Sequence, residues 1–147
     1  MTIWFKKFTI TDLNQRGENT LADYLGIKFT AVGDDSLTAT MPATERTKQP
    51  IGIIHGGANV ALAETIASTG ANAVVDLEKF YCVGLEINAN HIRSVREGLV
   101  VGVARPLHIG RTTQVWHIDI RNEDGKLTCV SRMTASVVSR SLNRGLQ

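Results

Sequence analysis

The stretch from Gln49 to Glu64 combines residue types that hydrolyse acyl bonds. In it, His55-Gly56-Gly57 follows an apolar run, and a lone carboxylate, Glu64, lies among small residues further along. Glycines leave backbone N–H groups unshielded where a helix begins, and a helix N-terminus binds developing negative charge. An oxyanion donor followed by a carboxylate in apolar surroundings predicts acyl-transfer chemistry.

The spacing between these groups predicts a dimer. His55 and Glu64 are nine positions apart, and a helical rise of 1.5 Å per residue separates their backbones by roughly 13 Å. A reacting carbonyl must lie near both its oxyanion donor and its nucleophile, at about 3 Å. Two such helices packed antiparallel about a two-fold axis would bring Gly56 of one chain to Glu64 of the other.

The elements around this stretch predict an α+β domain. A helix rich in small residues is expected over about 57–75, buried on most sides. Before it, the sequence predicts a short helix over 11–15 with a Thr or Asp cap, a hairpin of runs 24–30 and 36–41, and a loop over 42–49. After it come strand-like runs at 81–92, 99–105, 112–121 and 127–138, with a turn over 122–125 and breaks at Gly98 and 106–110. This order predicts a hairpin, one central helix and a four-stranded meander.

Composition narrows the class of protein. The 147 residues predict a single domain, and the 43% hydrophobic and 20% charged fractions are ordinary for a folded soluble protein. A net charge of +2 without a basic block gives no support for nucleic-acid binding. No leader-like h-region or apolar run of about 20 residues is present, so we expect a cytoplasmic protein without membrane insertion. Cys82 and Cys129 do not form a metal-binding pattern, and we expect buried thiols and no metal site.

Several sequence blocks, in order, resemble the hotdog-fold acyl-CoA thioesterases. The resemblance is closest to the small bacterial, PaaI-like branch that hydrolyses aromatic and hydroxynaphthoyl thioesters, and it covers about residues 1–139. The blocks are Arg46-Thr47-Lys48-Gln49-Pro50, Ile53-Ile54-His55-Gly56-Gly57, Ala61-Leu62-Ala63-Glu64-Thr65-Ile66, Val83-Gly84-Leu85-Glu86-Ile87-Asn88-Ala89-Asn90-His91, Pro106-Leu107-His108-Ile109-Gly110 and Gln114-Val115-Trp116.

The resemblance implies a role for five residues. Glu64 matches the catalytic carboxylate, and the Gly56 N–H matches the oxyanion donor. His55 matches a residue near the thioester carbonyl, Gln49 the side chain that positions water or the carboxylate, and Ser68 a hydroxyl that orients them. In the family, Glu64 and Ser68 come from one subunit and the other three from its partner, which agrees with the distance argument.

The resemblance also implies where coenzyme A binds. Its phosphates require basic groups, and the candidate contacts are Gly84, His91, Arg93, Ser94 and the 107–111 turn with His108, Gly110 and Arg111. Other basic residues near strand ends are Arg96 and Arg105. The alternative for each is a solvated charged rim. No cofactor is implied.

Fold and activity follow as expectations from the same resemblance. We expect a hotdog fold, an antiparallel sheet wrapped around one long central helix, in a single domain over 1–139 with a flexible tail over 140–147. The expected activity is hydrolysis of an aromatic, hydroxynaphthoyl or medium-chain acyl-CoA by a homo-oligomer, with dimers paired into a homotetramer. Residues 69–73 are expected to border the acyl pocket.

Alternatives remain open at this point. The protein could be a non-catalytic acyl-CoA-binding hotdog module, or could act on acyl or aryl carrier proteins; a hotdog hydratase needs an Asp/His pair in a motif that the sequence lacks. Glu64 could act as a base or as a nucleophile. It could also be a satisfied helix carboxylate, His55 a cap, the two glycines a packing device, and Gln49 and Ser68 structural.

Overall fold

The computed structural model describes residues 1–141 of the chain. Its elements are α1 (Ile10–Arg16), α2 (Leu21–Tyr24), β1 (Lys28–Val32), β2 (Leu37–Pro42), α3 (Gly56–Ala73), β3 (Phe80–His91), β4 (Leu99–Ile109), β5 (Thr113–Asn122) and β6 (Leu127–Ser139). Of the predicted flexible tail over 140–147, residues 142–147 lie outside the described residues.

The strands form one six-stranded sheet in the order β1-β2-β4-β5-β6-β3, with every neighbouring pair antiparallel. The long helix α3 packs against five of the strands, β2 to β6. This arrangement confirms the predicted α+β hotdog fold. The predicted four-stranded meander is wrong, because β2 takes β4 as its partner. Between β2 and β3 the chain runs through α3. The next strand, β3, then lies at the far edge of the sheet and pairs with β6.

Two glycines allow α3 to lie close to the sheet. A Cβ at Gly102 of β4 would come within 2.6 Å of the Ile66 side chain, and one at Gly70 of α3 would come within 2.8 Å of the Trp116 ring. Leu62, Ile66 and Trp116 are fully buried at this contact. The predicted helix with small residues is therefore confirmed, and its small side chains are what permit the close approach.

Several predicted boundaries shift for local reasons. Thr9 caps α1 through a capping box with Asp12, so the helix begins at Ile10, and the Thr9 N–H and hydroxyl bonds hold the pKa of Asp12 below its ordinary value. The hairpin's first strand starts later than predicted, because residues 21–24 form α2. Residues 106–109 of the predicted break at 106–110 lie inside β4, where a bulge between Pro106 and His108 accommodates the proline.

The N-terminal segment covers the end of α3. The Trp4 ring stacks on Trp116 with centroids 6.5 Å apart, and its Nε1 donates to the Gly33 carbonyl at 2.7 Å. The Phe5 N–H donates to the Ala73 carbonyl at 2.9 Å. These contacts place residues 3–8 beside the C-terminal half of α3.

Both cysteines are buried free thiols, as the sequence predicts. Burial raises the pKa of Cys82 to about 11, and it also raises the pKa of Cys129. Cys82 lies in a buried network in which the Gln114 amide donates to the Ala71 carbonyl and accepts from the Trp116 indole N–H. The network joins β5 to α3.

Candidate active site

The N-terminal turn of α3 carries one backbone donor that has no acceptor. His55 caps the helix: its Nδ1 accepts from the Gly57 N–H at 2.8 Å, and its carbonyl accepts from Ala58 and Asn59. Within residues 1–141, the Gly56 N–H has no hydrogen-bond partner. It is therefore free for an acceptor from outside the chain, at the positive end of the helix dipole. Gly56 and His55, with the loop before them, are called the donor end below.

A short turn fixes Gln49 beside the donor end. Lys48 and Ile54 form an isolated antiparallel bridge, and the Gln49 N–H donates to the Ile53 carbonyl at 2.9 Å. Gly52 closes this turn with φ +81°, a conformation that favours glycine. The buried Thr47 anchors it, because its hydroxyl donates to the Pro42 carbonyl at 2.7 Å.

The other half of the candidate site, called the carboxylate end, lies further along α3. The Ser68 hydroxyl donates to Glu64 Oε1 at 3.0 Å, one helical turn away. Gly84 of β3 lies against the same carboxylate, so that any side chain at position 84 would overlap Oε1. A bulge at Leu85, where the β3–β6 register shifts, follows immediately. Glu64 is half-buried and remains accessible to a ligand.

One chain does not bring the two ends together. Gly56 and Glu64 are eight positions apart on α3, which is about 12 Å along the helix axis. The structure thus groups Gln49, His55 and Gly56 in one place and Glu64, Ser68 and Gly84 in another. A thioester carbonyl cannot contact the Gly56 N–H and the Glu64 carboxylate of the same chain at once.

The predicted coenzyme A contacts also divide into groups. His91 packs on the donor end, because a Cβ at Gly56 would lie 2.8 Å from the His91 Nε2. Arg93 and Ser94 follow directly after β3, and the neighbouring Val95 carbonyl accepts from the Ile54 N–H at 2.8 Å. Gly84, by contrast, lies at the carboxylate end. Sequence reasoning placed His91 with the nucleotide and gave no signal that it touches Gly56.

The turn with His108, Gly110 and Arg111 lies far from His91 in the same chain. The strand registers align Gly84, Ala135, Gln114 and Ile109 in one row across the sheet, whereas His91 pairs with Cys129 near the opposite strand ends. Two other basic residues have partners within the chain. Arg96 donates to the Ile51 carbonyl at 3.1 Å, and Arg105 pairs with Asp35 at 3.5 Å.

A cavity of about 430 Å³ opens beside the carboxylate end. One wall is a stripe of α3 residues, Thr65, Ser68, Thr69 and Asn72, and the facing wall includes Leu13, Ile27 and Phe29 from α1 and the segment around β1. Of the residues expected to border an acyl pocket, Gly70 and Ala71 face the sheet instead. Sequence reasoning missed the facing wall, because nothing in 13–29 marks those apolar residues as pocket rather than core.

Residues 1–141 lack two features, a cluster of metal ligands and a membrane-spanning helix. No group of three or more His, Cys, Asp or Glu side chains in this range is arranged to hold a metal ion. None of the helices in it is long and apolar enough to cross a membrane.

Comparison with known proteins decides the family. The family model described as the thioesterase superfamily matches residues 51–129. This chain belongs to that superfamily. The 1,4-dihydroxy-2-naphthoyl-CoA hydrolase of Escherichia coli is 51% identical over 92% of this chain and 99% of its own length. The proofreading thioesterase EntH of Cronobacter turicensis is 46% identical over 92% and 98%.

Solved structures of similar sequence share the whole fold. A thioesterase from Pseudomonas aeruginosa superposes with a TM-score of 0.93 at 47% identity, covering 94% of this chain and 99% of the other. One from Haemophilus influenzae gives 0.91 at 50% identity, covering 94% and 96%. The predicted family is therefore confirmed, and the chain is a thioester hydrolase.

Proposed function

We propose that this thioesterase hydrolyses an acyl-CoA at sites shared between two subunits, with an aromatic, hydroxynaphthoyl or medium-chain acyl group. The observation that carries the proposal is the free Gly56 N–H at the start of α3, matched by the Glu64–Ser68 pair further along it. The name of the Escherichia coli relative, a naphthoyl-CoA hydrolase, supports an acyl-CoA substrate.

In the proposed reaction, the thioester carbonyl oxygen accepts a hydrogen bond from the Gly56 N–H, which stabilises the charge that develops on it. In one route, Glu64 removes a proton from water and the hydroxide adds to the carbonyl carbon; the C–S bond then breaks, and the leaving coenzyme A thiolate takes the proton from Glu64. In the other route, Glu64 itself adds to the carbonyl carbon, the C–S bond breaks to leave an anhydride on Glu64, and water then cleaves the anhydride, with one proton of that water going to the coenzyme A thiolate. Ser68 orients the carboxylate, and Gln49 and His55 lie beside the oxyanion.

The free edge of β3 offers a way to join the two ends. β3 is one of the two outer strands of the sheet, and its side chains between positions 83 and 91 are mostly exposed, including Val83 and Leu85 at 44% and 65%. A long, exposed edge strand pairs readily with another strand. We propose that β3 pairs antiparallel with β3 of a second copy, so that the sheet continues through the dimer.

The β3–β6 register shows which β3 side chains share a face in that pairing. Gly84, Ile87, Ala89 and His91 pair with Ala135, Met133, Ser131 and Cys129, all buried, so these four β3 residues point towards α3. Residues directly opposite in an antiparallel pair share a face. Among the alignments that satisfy this rule, the one with a two-fold axis at Asn88, and with Leu85 left out as the bulge, sets Gly84 opposite the partner's His91.

This alignment would complete the site. Glu64 lies on Gly84, and His91 lies on Gly56, so pairing Gly84 with the partner's His91 brings Glu64 to the partner's Gly56. Opposed residues in an antiparallel pair are about 5 Å apart. We infer that one thioester carbonyl contacts both the Glu64 carboxylate and the partner's Gly56 N–H. Pairing of such dimers into a tetramer stays a prediction.

Both cysteines are free thiols, as is usual in reducing compartments, and we propose a cytoplasmic location.

Mixing two inactive variants tests the shared site. Glu64→Gln removes the base, and Gly56→Pro removes the donor while preserving the helix, because proline is favoured at the first helical position. His55, with φ −64° and ψ 135°, already has a backbone that suits a residue before proline. In a heterodimer, one site is intact and the other lacks both groups.

Refolding the two variants together in equal amounts should restore about a quarter of the wild-type thiol release, because half of the dimers are mixed and each has one good site. Each variant refolded alone should remain inactive. If mixing restores nothing while the mixed dimers form, the site is not shared. If the wild type binds hydroxynaphthoyl-CoA without hydrolysing it, that ester is a ligand and not the substrate. If it hydrolyses only thioesters of a carrier protein, the carrier protein replaces coenzyme A in the proposal.

A further inference from the structure

A second cavity lies beyond the first, where α3 ends. It has a volume of about 240 Å³ and lies between the N-terminal segment and the end of α3. Phe5, Phe8, Val75 and Leu77 supply apolar surface to its lining, and the basic residues Lys6, Lys7 and Arg16 also line it. Phe5 and Leu77 are 51% and 38% exposed, although both side chains are apolar. We call this the terminal cavity, and the cavity beside Ser68 the first cavity.

The two cavities share a partition. Leu13 and Arg16 of α1, and Thr69 and Asn72 of α3, line both of them. Leu13 is buried, whereas the Arg16 side chain is exposed. Long arginine side chains change conformation at little cost when their charge stays in water. Movement of Arg16 alone would therefore widen the passage from one cavity to the other.

The first cavity is continuous with the proposed chemistry. Ser68 lines it, and the Ser68 hydroxyl donates to the Glu64 carboxylate. From Glu64 to Ala73, which lines the terminal cavity, is nine positions along α3, or about 13 Å. An acyl group whose carbonyl lies at Glu64 and which extends along α3 passes the partition and reaches the terminal cavity.

The passage favours hydrocarbon over a polar chain. The Thr69 hydroxyl donates to the Thr65 carbonyl at 2.7 Å, and the Asn72 amide group donates to the Ser68 and Cys82 carbonyls at 3.0 and 3.1 Å. These donors are therefore occupied, and a ligand passing between them and Leu13 finds no free hydrogen-bond donor on Thr69 or Asn72. Polar groups that cannot replace their hydrogen bonds to water are disfavoured at such a position.

We propose that the two cavities form one acyl channel, in which the terminal cavity holds the distal end of an extended, unbranched fatty acyl group and Arg16 controls its entry. The inference rests on the proposed thioesterase function and deepens it, because it assigns chain-length preference to α1 and the N-terminal segment. Compact acyl groups occupy the first cavity alone. Each methylene removed from water into such a cavity strengthens binding, so the preference grows with the length of the chain.

Filling each cavity separately tests the channel. Ala73→Leu and Val75→Phe fill the terminal cavity, and Ala22→Leu, at the wall of the first cavity, is the matched control. With decanoyl-CoA and butyryl-CoA as substrates, the two terminal-cavity variants should lower the decanoyl to butyryl ratio of kcat/KM about tenfold. The control should lower kcat/KM for both esters. Arg16→Ala should raise the ratio.

Binding separates this inference from the proposed function. Dissociation constants for both esters are measured by calorimetry on Glu64→Gln protein, with and without each filling substitution. Selective loss of decanoyl-CoA affinity supports the channel even if the wild type hydrolyses neither ester, a result that would remove only the proposal that acyl-CoA esters are hydrolysed at the shared site. Equal changes for both esters in the Ala73→Leu and Val75→Phe proteins, or no change in either, would overturn the channel.

Discussion

The donor end and the carboxylate end of α3 are built in different ways. At the donor end, the cap and the free N–H come from neighbouring residues. The His55 ring accepts a hydrogen bond from the Gly57 N–H, and the Gly56 N–H has no acceptor within residues 1–141. At the carboxylate end, Glu64 is positioned by Ser68 one turn away and by Gly84 of β3. The first half of the site is therefore local, and the second depends on strand pairing.

The two ends also differ in the atoms that act. The donor is a backbone N–H, which only a proline substitution removes. The carboxylate is the side chain of Glu64, which any substitution changes. His55 illustrates the difference, because the alternative reading of it as a helix cap is what the structure shows. The cap holds His55 next to Gly56, so its proposed place beside the oxyanion is compatible with its role as a cap.

The largest effect is expected at the carboxylate end. Glu64→Gln preserves the shape and the acceptor for Ser68 but removes the base or nucleophile, so kcat in a thiol-release assay should fall by about 10³ to 10⁴. The melting temperature should stay close to that of the wild type, because Glu64 is only half-buried and forms no ion pair within residues 1–141. Turnover near the wild-type rate would remove Glu64 from the chemistry.

A smaller loss is expected at the donor end. Gly56→Pro removes one oxyanion donor and should lower kcat by about 10² to 10³. Gly56→Ala is the matched control, since it crowds His91 in the same way but keeps the N–H. Its activity should lie within about tenfold of wild type. Equal losses in the two variants would show that crowding of His91, and not the lost donor, is responsible.

Removal of the Ser68 hydroxyl should have a modest effect. Ser68→Ala leaves Glu64 without its hydrogen-bond donor on α3, and kcat should fall by about tenfold, in line with a lost hydrogen bond of about 1 to 1.5 kcal/mol. KM for a short acyl-CoA should change little. Ser68→Thr restores a hydroxyl and should recover part of the rate; failure to recover any would indicate that Ser68 acts by packing alone.

Local chemistry explains what the sequence predicted well. The helix, the buried thiols, the capped α1 and the turn over 122–125 depend on neighbouring residues or on composition, and all are present. The grouping of Gln49 with His55 follows from one short turn. These features need no knowledge of which strands pair.

Partner choice between strands explains what it missed. Runs 81–92 and 99–105 have similar composition, so no feature of the local sequence predicts that β3 pairs with β6 and not with β4. The positions of Gly84 under Glu64 and of His91 on Gly56 follow from that pairing. The pocket wall from α1 and β1 was missed for the same reason, because contact across about 50 residues leaves no periodic signal.

The proposed β3 register can be tested without relying on activity. With the two-fold axis at Asn88, the Asn88 Cα atoms of two chains lie about 5 Å apart, within the range that a disulfide requires. Asn90 would instead face the partner's Glu86, and the two Asn90 positions would be about 13 Å apart along the strands. Both asparagines are exposed, so either accepts a cysteine.

Asn88→Cys should therefore form a covalent dimer on mild oxidation at pH 8, and Asn90→Cys should not. The native thiols should not interfere: both are buried, and the pKa of Cys82, raised to about 11, keeps that thiol protonated well below pH 11. The cross-linked dimer should keep most of its thiol-release activity, because position 88 points away from α3. Cross-linking through position 90 alone would shift the axis by two residues, which would separate Gly84 from the partner's His91 and leave the two ends of the site unjoined.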